Sequence, residues 1–359
     1  MLGHMSEQAA TYGSLRTPAS DSLTVATVNV NGIRAAAKVR NENNHGILPW
    51  LEDTPADVVL LQEVRADQDQ AHKALGPALD AGWHLELAPA AAKGRAGVGI
   101  LSRRELSDVR VGFSEKGHAG AEEFDDAGRF LSAAVDTSFG PVRVASLYLP
   151  SGSVGSEKQD EKYRFLDSFS EYLHDYATEA ESGTELEMVV GGDWNICHSR
   201  ADLKNWRGNR AKSGFLPDER AFLDNLVGTF PHAATQIGDE LDFGAKGNPG
   251  GVPGHFFGAV DYQPSEAATK RLHDGAAQYP KWFDVHRRIC PEESGPYSWW
   301  TWRGQAFNND AGWRIDLQLA TSELAQRGIS AANAAVDKAA TVEERWSDHS
   351  PVLIEYAAS

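Results

Sequence analysis

Cysteine, methionine and long apolar runs are all scarce in this chain, which has 2 Cys and 3 Met among 359 residues. Cys197 and Cys290 are too few for a disulfide framework and lack zinc-ligand spacing. They read as ordinary reduced thiols of a cytoplasmic protein. No apolar stretch approaches the roughly 20 residues that span a bilayer. No basic region followed by an apolar one opens the chain, so no secretory leader is expected. Met1 to Met5 reads instead as a vector scar, within a disordered tail over residues 1–22. G-x-x-x-x-G-K-[ST] is missing, so phosphate is not held in a P-loop. So is a G-x-S-x-G elbow, which leaves a serine-centred triad unsupported. Positive charge is also short: 34 Lys and Arg face 51 Asp and Glu, a net charge of −17. Such a surface repels phosphate and excludes a general nucleic-acid coat. It does not exclude an enzyme with a local basic track, and Arg200, Lys204, Arg207, Arg210 and Lys212 supply one, opposed only by Asp202.

What is present alternates strand and helix. Strands are predicted over Leu23–Val30, Val58–Leu61, Ala96–Leu101, Val142–Leu149, Leu186–Val190, Trp313–Ala320 and Pro351–Tyr356. Helices are predicted over Lys158–Tyr176, with Phe165, Phe169 and Tyr172 on one side, and over Pro217–Leu226, with Pro217 in its first turn. No linker divides the strands into halves, so a single domain over residues 23–357 is expected. Gly238 to Gly254 carries six glycines and two prolines, which is loop composition. A short helix capped by Ser265 is expected to follow.

The chemistry gathers at strand ends. Glu187 to Asn195 reads Glu-Met-Val-Val-Gly-Gly-Asp-Trp-Asn, an apolar run closed by an acid and an amide two residues apart. Asp193 and Asn195 can hold a hard cation, orient a water or meet a phosphate oxygen; the blander reading is an Asx turn. Asn29 and Asn31 repeat the spacing after another strand. Glu63 closes Val58–Gln62, Tyr148 closes Val142–Leu149, Asp316 follows Trp313, and Ser347-Asp348-His349 precedes the last strand. Singly each is weak: Glu63, for example, has Arg65 nearby as an ordinary ion-pair partner. Together they form an oxygen-rich set suited to a divalent cation, a general base and a hydrogen-bond donor to a transition state.

The segments Thr27–Arg34, Leu61–Glu63, Tyr148–Gly152, Gly192–Asn195, Trp313–Asp316 and Ser347–His349 occur in the order typical of one family. From Ser22 to Tyr356 the chain resembles exonuclease III and the apurinic/apyrimidinic endonucleases of the exonuclease–endonuclease–phosphatase superfamily. Gly214–Arg220 and Tyr297–Arg303 resemble the DNA-repair branch in particular. The resemblance implies an α/β four-layer sandwich, with two packed mixed β-sheets flanked by helices. It implies a Mg²⁺-dependent phosphodiesterase, with Mn²⁺ substituting, that cleaves 5′ to abasic sites in duplex DNA and trims 3′ ends. A cytoplasmic monomer with no membrane partner is expected.

Residue by residue, the resemblance gives metal binding to Glu63 with Asn31 or Asp348, and makes Asn29 a ligand or a support for one. Asp193 orients or deprotonates the water, and Asn195 helps to hold it; both also count among the metal-binding set. Tyr148 and His349 contact the scissile phosphate, with Asp316 orienting His349. Trp299, Trp313 and Ile315 wall a pocket for a base-free sugar, although tryptophans are more often simply core. Arg34 and the Arg200–Lys212 track contact DNA. Residues 232–281 are an insert that the family lacks, in which Lys270, Arg271 and Lys281 are expected to extend the DNA footprint. The glycines before Asp193 read as room for a phosphate. Two other readings stay open: a catalytically silent nucleic-acid-binding regulator, and a phosphoesterase for lipid or inositol substrates.

Overall fold

All seven residues of Leu23–Asn29 (β1) are buried, which a strand achieves only when both of its faces are covered. The computed structural model, which describes residues 12–230, 256–291 and 293–358, shows what covers them. The further strands are Val58–Gln62 (β2), His84–Ala88 (β3), Val98–Ser102 (β4), Leu106–Val111 (β5), Phe130–Val135 (β6), Val142–Tyr148 (β7), Met188–Asp193 (β8), Trp282–Asp284 (β9), Asp316–Thr321 (β10), Ala334–Val336 (β11) and Val352–Tyr356 (β12). They form two six-stranded sheets, ordered β11-β12-β1-β2-β4-β3 and β5-β6-β7-β8-β10-β9. Both sheets are mixed: β1 runs parallel to β2 and β7 parallel to β8, while the other pairs are antiparallel.

The helices are Ile33–Ala36 (α1), Ile47–Asp53 (α2), Gln68–Asp80 (α3), Glu157–Glu181 (α4), Trp206–Asn209 (α5), Pro217–Val227 (α6), Glu266–Asp274 (α7), Val285–Ile289 (α8) and Ser322–Ala331 (α9). Three apolar seams make the layering. Alternate residues of β1 face opposite ways: Leu23 and Val25 join Leu60, Ile100, Leu131, Val144 and Val189 between the sheets. Ala26 and Val28 pack outward with Leu61 against Ile33, Ile47, Leu51 and Leu75 of α1–α3. The second sheet turns Leu147, Val190 and Leu317 outward onto Phe165, Phe169 and Tyr172 of α4. Helix, sheet, sheet and helix make the four-layer α/β sandwich. Shortening Leu60 to Ala in the inner seam would cost about 2–5 kcal/mol.

Sequence periodicity locates the central strands, α4 and α6 but misses β3, β5, β6, β9, β11, α1, α2, α3, α5, α8 and α9. The strand expected from Trp313 begins at Asp316, because Trp313 makes isolated bridges with Leu203 and Trp299 instead. Gly191 and Gly192 have a packing reason rather than a phosphate to admit. A Cβ on Gly191 would lie 2.6 Å from Leu60 of the opposite sheet, and one on Gly192 would lie 2.1 Å from the Leu147 carbonyl.

Residues 1–11 of the expected tail and 231–255 of the expected insert lie outside the described residues. From Tyr12 onward the N-terminal segment lies against the domain: the Tyr12 hydroxyl donates to Asp310 and accepts from the Tyr297 amide. The later part of 232–281 returns over α4, where Asp160 accepts the amides of Val260 and Asp261. Ser265 caps α7 as expected, accepting from Ala268 N–H. Arg271 pairs with Asp167 and Glu171, Lys281 with Glu181 and Lys270 with Asp274. These three cations are locally neutralised, which removes the charge argument for a DNA footprint there. No helix among the described residues is long and apolar enough to cross a membrane.

Candidate active site

Topology brings the polar strand ends to one edge. β1 and β2 run parallel and end at Asn29 and Gln62, as do β7 and β8 at Tyr148 and Asp193. β10 and β12 run antiparallel to β8 and β1, so Asp316 and the residues preceding Val352 start where those strands stop. Asp193 is in register with both Tyr148 and Asp316. Asn31, Glu63, Tyr148, Asp193, Asn195, Trp299, Trp313, Ile315, Asp348 and His349 line one cleft of about 450 Å³, with Arg65, Ser151, Gly152, Ser213 and Gly214. A larger cavity of about 640 Å³ lies at the far ends of β7 and β8. Its lining includes Glu181, Glu185, Glu187 and Glu323, which would repel a phosphate.

The backbone leaves ordinary strand geometry where the polar groups sit. Asn31, Glu63, Arg65 and Asn195 have φ of 47°, 49°, 50° and 50°. Such left-handed conformations cost about 1–3 kcal/mol each and persist where the surroundings over-determine them. Asx turns supply part of that determination. Asn31 N–H donates to Asn29 Oδ1 at 2.9 Å, and Asn195 N–H to Asp193 Oδ1 at 3.0 Å. The turn reading and the functional reading of the Asn29–Asn31 and Asp193–Asn195 pairs therefore coexist.

Asn29 is wholly buried, and its Nδ2 donates at 2.9 Å to both Glu63 Oε1 and Asp193 Oδ2. Because its carbonyl oxygen accepts the Asn31 amide, Asn29 here ties two carboxylates together rather than offering an oxygen to a cation. Asn31 Nδ2 donates to Asp348 Oδ1 at 2.9 Å, and Asp348 Oδ2 accepts from the Trp299 indole at 3.1 Å. Asn195 Nδ2 donates to the Leu149 carbonyl at 2.8 Å. The Glu63–Arg65 ion pair that sequence proximity suggests is formed, inside the cleft.

Asp316 Oδ2 lies 2.8 Å from His349 Nδ1, and Asp193 Oδ2 lies 3.8 Å from His349 Nε2. Burial opposes a charged imidazole, but Asp316, Asp193 and Asp348 outweigh it and push His349 up to about 10. Asp193 moves well above the usual carboxylate range, to about 7, because burial and the charges of Asp316 and Glu63 outweigh His349 and the Asn29 hydrogen bond. Burial, with the charges of Glu63 and Asp193, raises the Tyr148 phenol well above its usual value. Tyr148 is therefore a donor at neutral pH and not a phenolate.

Asp193, Asp316 and His349 offer donor atoms within 4.8 Å of one another. An imidazolium cannot ligate a metal, so this trio suits proton handling better than coordination. Hard-cation chemistry fits the oxygens of Glu63, Asp193 and Asp348 and the amide of Asn31. The fit has a physical motive: buried Asp193 is crowded by the charges of Asp316 and Glu63, and Asp316 Oδ1 has no hydrogen-bond partner. A cation would relieve that repulsion, so the buried acidic cluster could bind a metal.

Trp299 and Trp313 meet edge to face with centroids 5.9 Å apart, and Ile315 is buried beside them. They are at once core and cleft wall. The basic track runs from Arg200 to Lys212 and leads into the cleft at Ser213 and Gly214. Arg200 and Arg207 both lie over the Trp206 ring, 4.4 Å from its centroid. No ion pair among the described residues engages any of the five track cations. Arg34 is exposed on α1 outside the cleft lining, 3.4 Å from the Arg65 carbonyl. Sequence reasoning missed three supports. Arg129 lies 4.9 Å over the Tyr148 ring, the Ser298 hydroxyl accepts from the Asp316 amide at 3.1 Å, and Ser347 Oγ donates to the Asn29 carbonyl at 2.6 Å. Ser347 had a signal in its place in Ser-Asp-His and Ser298 in its place within Tyr297–Arg303, whereas Arg129 had none.

The chain is similar to known proteins along most of its length. Residues 26–349 match the model of the Endonuclease/Exonuclease/phosphatase family. An exodeoxyribonuclease of Bacillus subtilis is 25% identical over 324 residues, covering 90% of this chain and 95% of its own. The DNA repair nuclease APEX1 of Danio rerio is 26% identical over 308 residues, covering 84% and 74%. The 3′ phosphatase NExo from Neisseria, solved with a product DNA hairpin, superposes with a TM-score of 0.63 at 23% identity, covering 93% and 99%. With its two six-stranded sheets and the polar set at their common edge, the chain belongs to the Endonuclease/Exonuclease/phosphatase family.

Proposed function

We propose that this protein is a divalent-cation-dependent DNA-repair phosphodiesterase that cleaves 5′ to abasic sites in duplex DNA and removes nucleotides or blocking groups from 3′ ends. The observation that carries the reading is the meeting of Asp193, the His349–Asp316 pair, Tyr148 and Glu63 in one cleft. The relatives' names, an exodeoxyribonuclease and a DNA repair nuclease, support DNA as the substrate.

Hydrolysis needs an activated water in line with the leaving oxygen, and donors on the non-bridging phosphate oxygens. Asp193 in its ionised form accepts the water's proton, and its raised pKa makes it a better base than an ordinary carboxylate. Asn195 holds the water on the side defined by its Asx turn. The His349 imidazolium and the Tyr148 phenol donate to phosphate oxygens, and Asp316 keeps His349 charged and aimed. Glu63 with Asn31 or Asp348 would hold a Mg²⁺ ion, for which Mn²⁺ would substitute, and that charge would offset the phosphate's. Trp299, Trp313 and Ile315 offer an apolar wall to a flipped sugar without its base. The basic track beside the cleft binds the DNA backbone while the acidic remainder of the surface stays clear of it.

The test is incision of an abasic duplex, and trimming of a recessed or phosphate-blocked 3′ end, with and without EDTA. Metal-dependent turnover is expected, and Asp193→Ala is expected to abolish it while leaving DNA binding largely intact. No turnover on any of these substrates at stoichiometric enzyme would sink the reading. Preferential turnover of a phosphoinositide would move it to a non-DNA phosphoesterase.

A further inference from the structure

Behind the cleft lies a second charged constellation that the chemistry above does not use. Lys162 of α4 and Glu219 of α6 are both wholly buried, and Lys162 Nζ lies 2.8 Å from Glu219 Oε1. Lys162 Nζ also donates to the Asn195 carbonyl at 2.9 Å and to the Ser151 carbonyl at 3.4 Å. Glu219 Oε2 accepts the amides of Gly214 at 2.6 Å and Leu216 at 3.1 Å. Gln159, one turn before Lys162, donates to Glu219 Oε1 at 3.1 Å and accepts from Ser213 Oγ at 2.5 Å. A Cβ on Gly152 would lie 2.5 Å from Gln159 Oε1 and 3.0 Å from Lys162 Cδ, so that loop rests on the same group.

Ser151, Gly152, Asn195, Ser213 and Gly214 all line the cleft, and they come from three separate loops. We infer that Lys162 and Glu219 form a positioning hub, a single buried ion pair that fixes where these three loops stand and so where Asn195 holds its water. The inference rests on the phosphodiesterase reading.

Stability alone is a poor reason for this pair. Removing two charges from water costs several kcal/mol per ion, and an apolar pair of similar volume is often as stable or more so. An apolar pair cannot donate to the Asn195 and Ser151 carbonyls, nor accept from Gly214 and Leu216. The pair is net neutral, so it does not act by drawing phosphate into the cleft. It also accounts for the Gly214–Arg220 motif. Gly214 has φ +93° and would press a Cβ to 2.9 Å from Trp313, while Glu219 gathers the amides on either side of Phe215.

The experiment compares the full chain with K162M, E219Q and K162M/E219Q, reading thermal midpoint, DNA Kd and metal-dependent kcat on an abasic duplex. K162M strands a buried carboxylate, so its midpoint is expected to drop. Its kcat is expected to fall about 10- to 100-fold, the scale of a roughly 1 Å misplacement, with Kd nearly unchanged. In K162M/E219Q no unpaired charge remains: the midpoint recovers while kcat stays at least about 10-fold down, because the donor to Asn195 is still missing. If K162M does not fold, the double variant carries the comparison. Recovery of kcat together with the midpoint, or a kcat within about twofold of wild type in a folded K162M, would overturn the hub. A wild type inert on every DNA substrate with Mg²⁺ or Mn²⁺ present sinks the phosphodiesterase reading and the hub's role with it. An active wild type with active variants sinks the hub alone.

Discussion

His349 Nδ1 stands 2.8 Å from Asp316 Oδ2, both side chains almost wholly buried. Burial alone would hold the imidazole neutral; the Asp316 carboxylate is the largest influence in the other direction. The folded value is raised to about 10, above the unperturbed value of about 6.5. The charge interaction is therefore fully present below about pH 6.5 and lost as pH rises through about 10. If the imidazolium contacts the phosphate, Asp316→Asn moves the alkaline limb of the kcat/KM profile down by at least one pH unit, roughly the smallest shift expected on losing a buried charge partner. It also lowers kcat about 10²–10³-fold near pH 8. A pH profile at fixed Mg²⁺ measures both, and an unmoved alkaline limb would remove His349⁺ from the mechanism.

Asn29 joins Glu63 and Asp193 through one amide nitrogen, which leaves the acidic cluster held together by hydrogen bonds against its own repulsion. A cation bound only by the folded state stabilises by RT ln(1 + [L]/Kd), about 2.7 kcal/mol at 100-fold excess over Kd. Millimolar Mg²⁺ is therefore expected to raise the thermal midpoint by about 3–8 °C, with EDTA reversing it. Glu63→Gln should remove most of that rise. An identical Mg²⁺ response in Glu63→Gln would assign the cation to other residues.

The fold was readable wherever the pattern was strong. β2 reads as an almost wholly apolar run, β1, β7 and β12 as mostly apolar ones with few polar interruptions, and Phe165, Phe169 and Tyr172 recur at helical spacing in α4. β5 was not readable because its outer-edge residues Ser107, Asp108 and Val109 are exposed, so no apolar run marks it. The site residues were readable as strand-end polar groups and as family motifs. Their division of labour was not. That Asn29 points its nitrogen at two carboxylates depends on the Asn31 amide filling its oxygen, a through-space fact with no sequence spacing. Likewise Lys162 and Glu219 sit on two helices whose amphipathic patterns give no sign that buried charges meet between them.

Cations in the Arg200–Lys212 track and in the 256–281 region look alike in the sequence and differ in the structure. Lys204, Arg207 and Lys212 are exposed, whereas Lys270, Arg271 and Lys281 are each paired with an acid. Each phosphate contact contributes about 0.9 to the slope of log K against log salt. Replacing Lys204, Arg207 and Lys212 by Gln is expected to lower that slope by up to about 3 and weaken binding evenly across sequences. Replacing Lys270, Arg271 and Lys281 should leave the slope unchanged. The reverse pattern in a salt titration would place the DNA on the α7 side.

Asp202 is the structural counterpart of Asp193 in the cleft, a buried carboxylate held charged instead of pushed toward neutrality. Burial would raise its pKa, but Arg287 and Arg314, at 2.5 and 3.2 Å, hold it well below the usual carboxylate range. Asp284, 2.5 Å from Arg314, is lowered with it. For depressed carboxylates the stabilisation is present above the unfolded value of about 3.9 and is lost as pH falls through the folded value. Stability of the wild type should therefore decline steeply below about pH 4. Asp202→Asn leaves buried Arg287 without its carboxylate and Arg314 with Asp284 alone, and is expected to cost about 3–5 kcal/mol at pH 7. It should also flatten the acid limb, because the titrating group is gone. Urea midpoints measured from pH 3 to 8 test both at once. A variant that keeps the wild-type acid slope would transfer that slope to other carboxylates, even if its stability at pH 7 fell as expected.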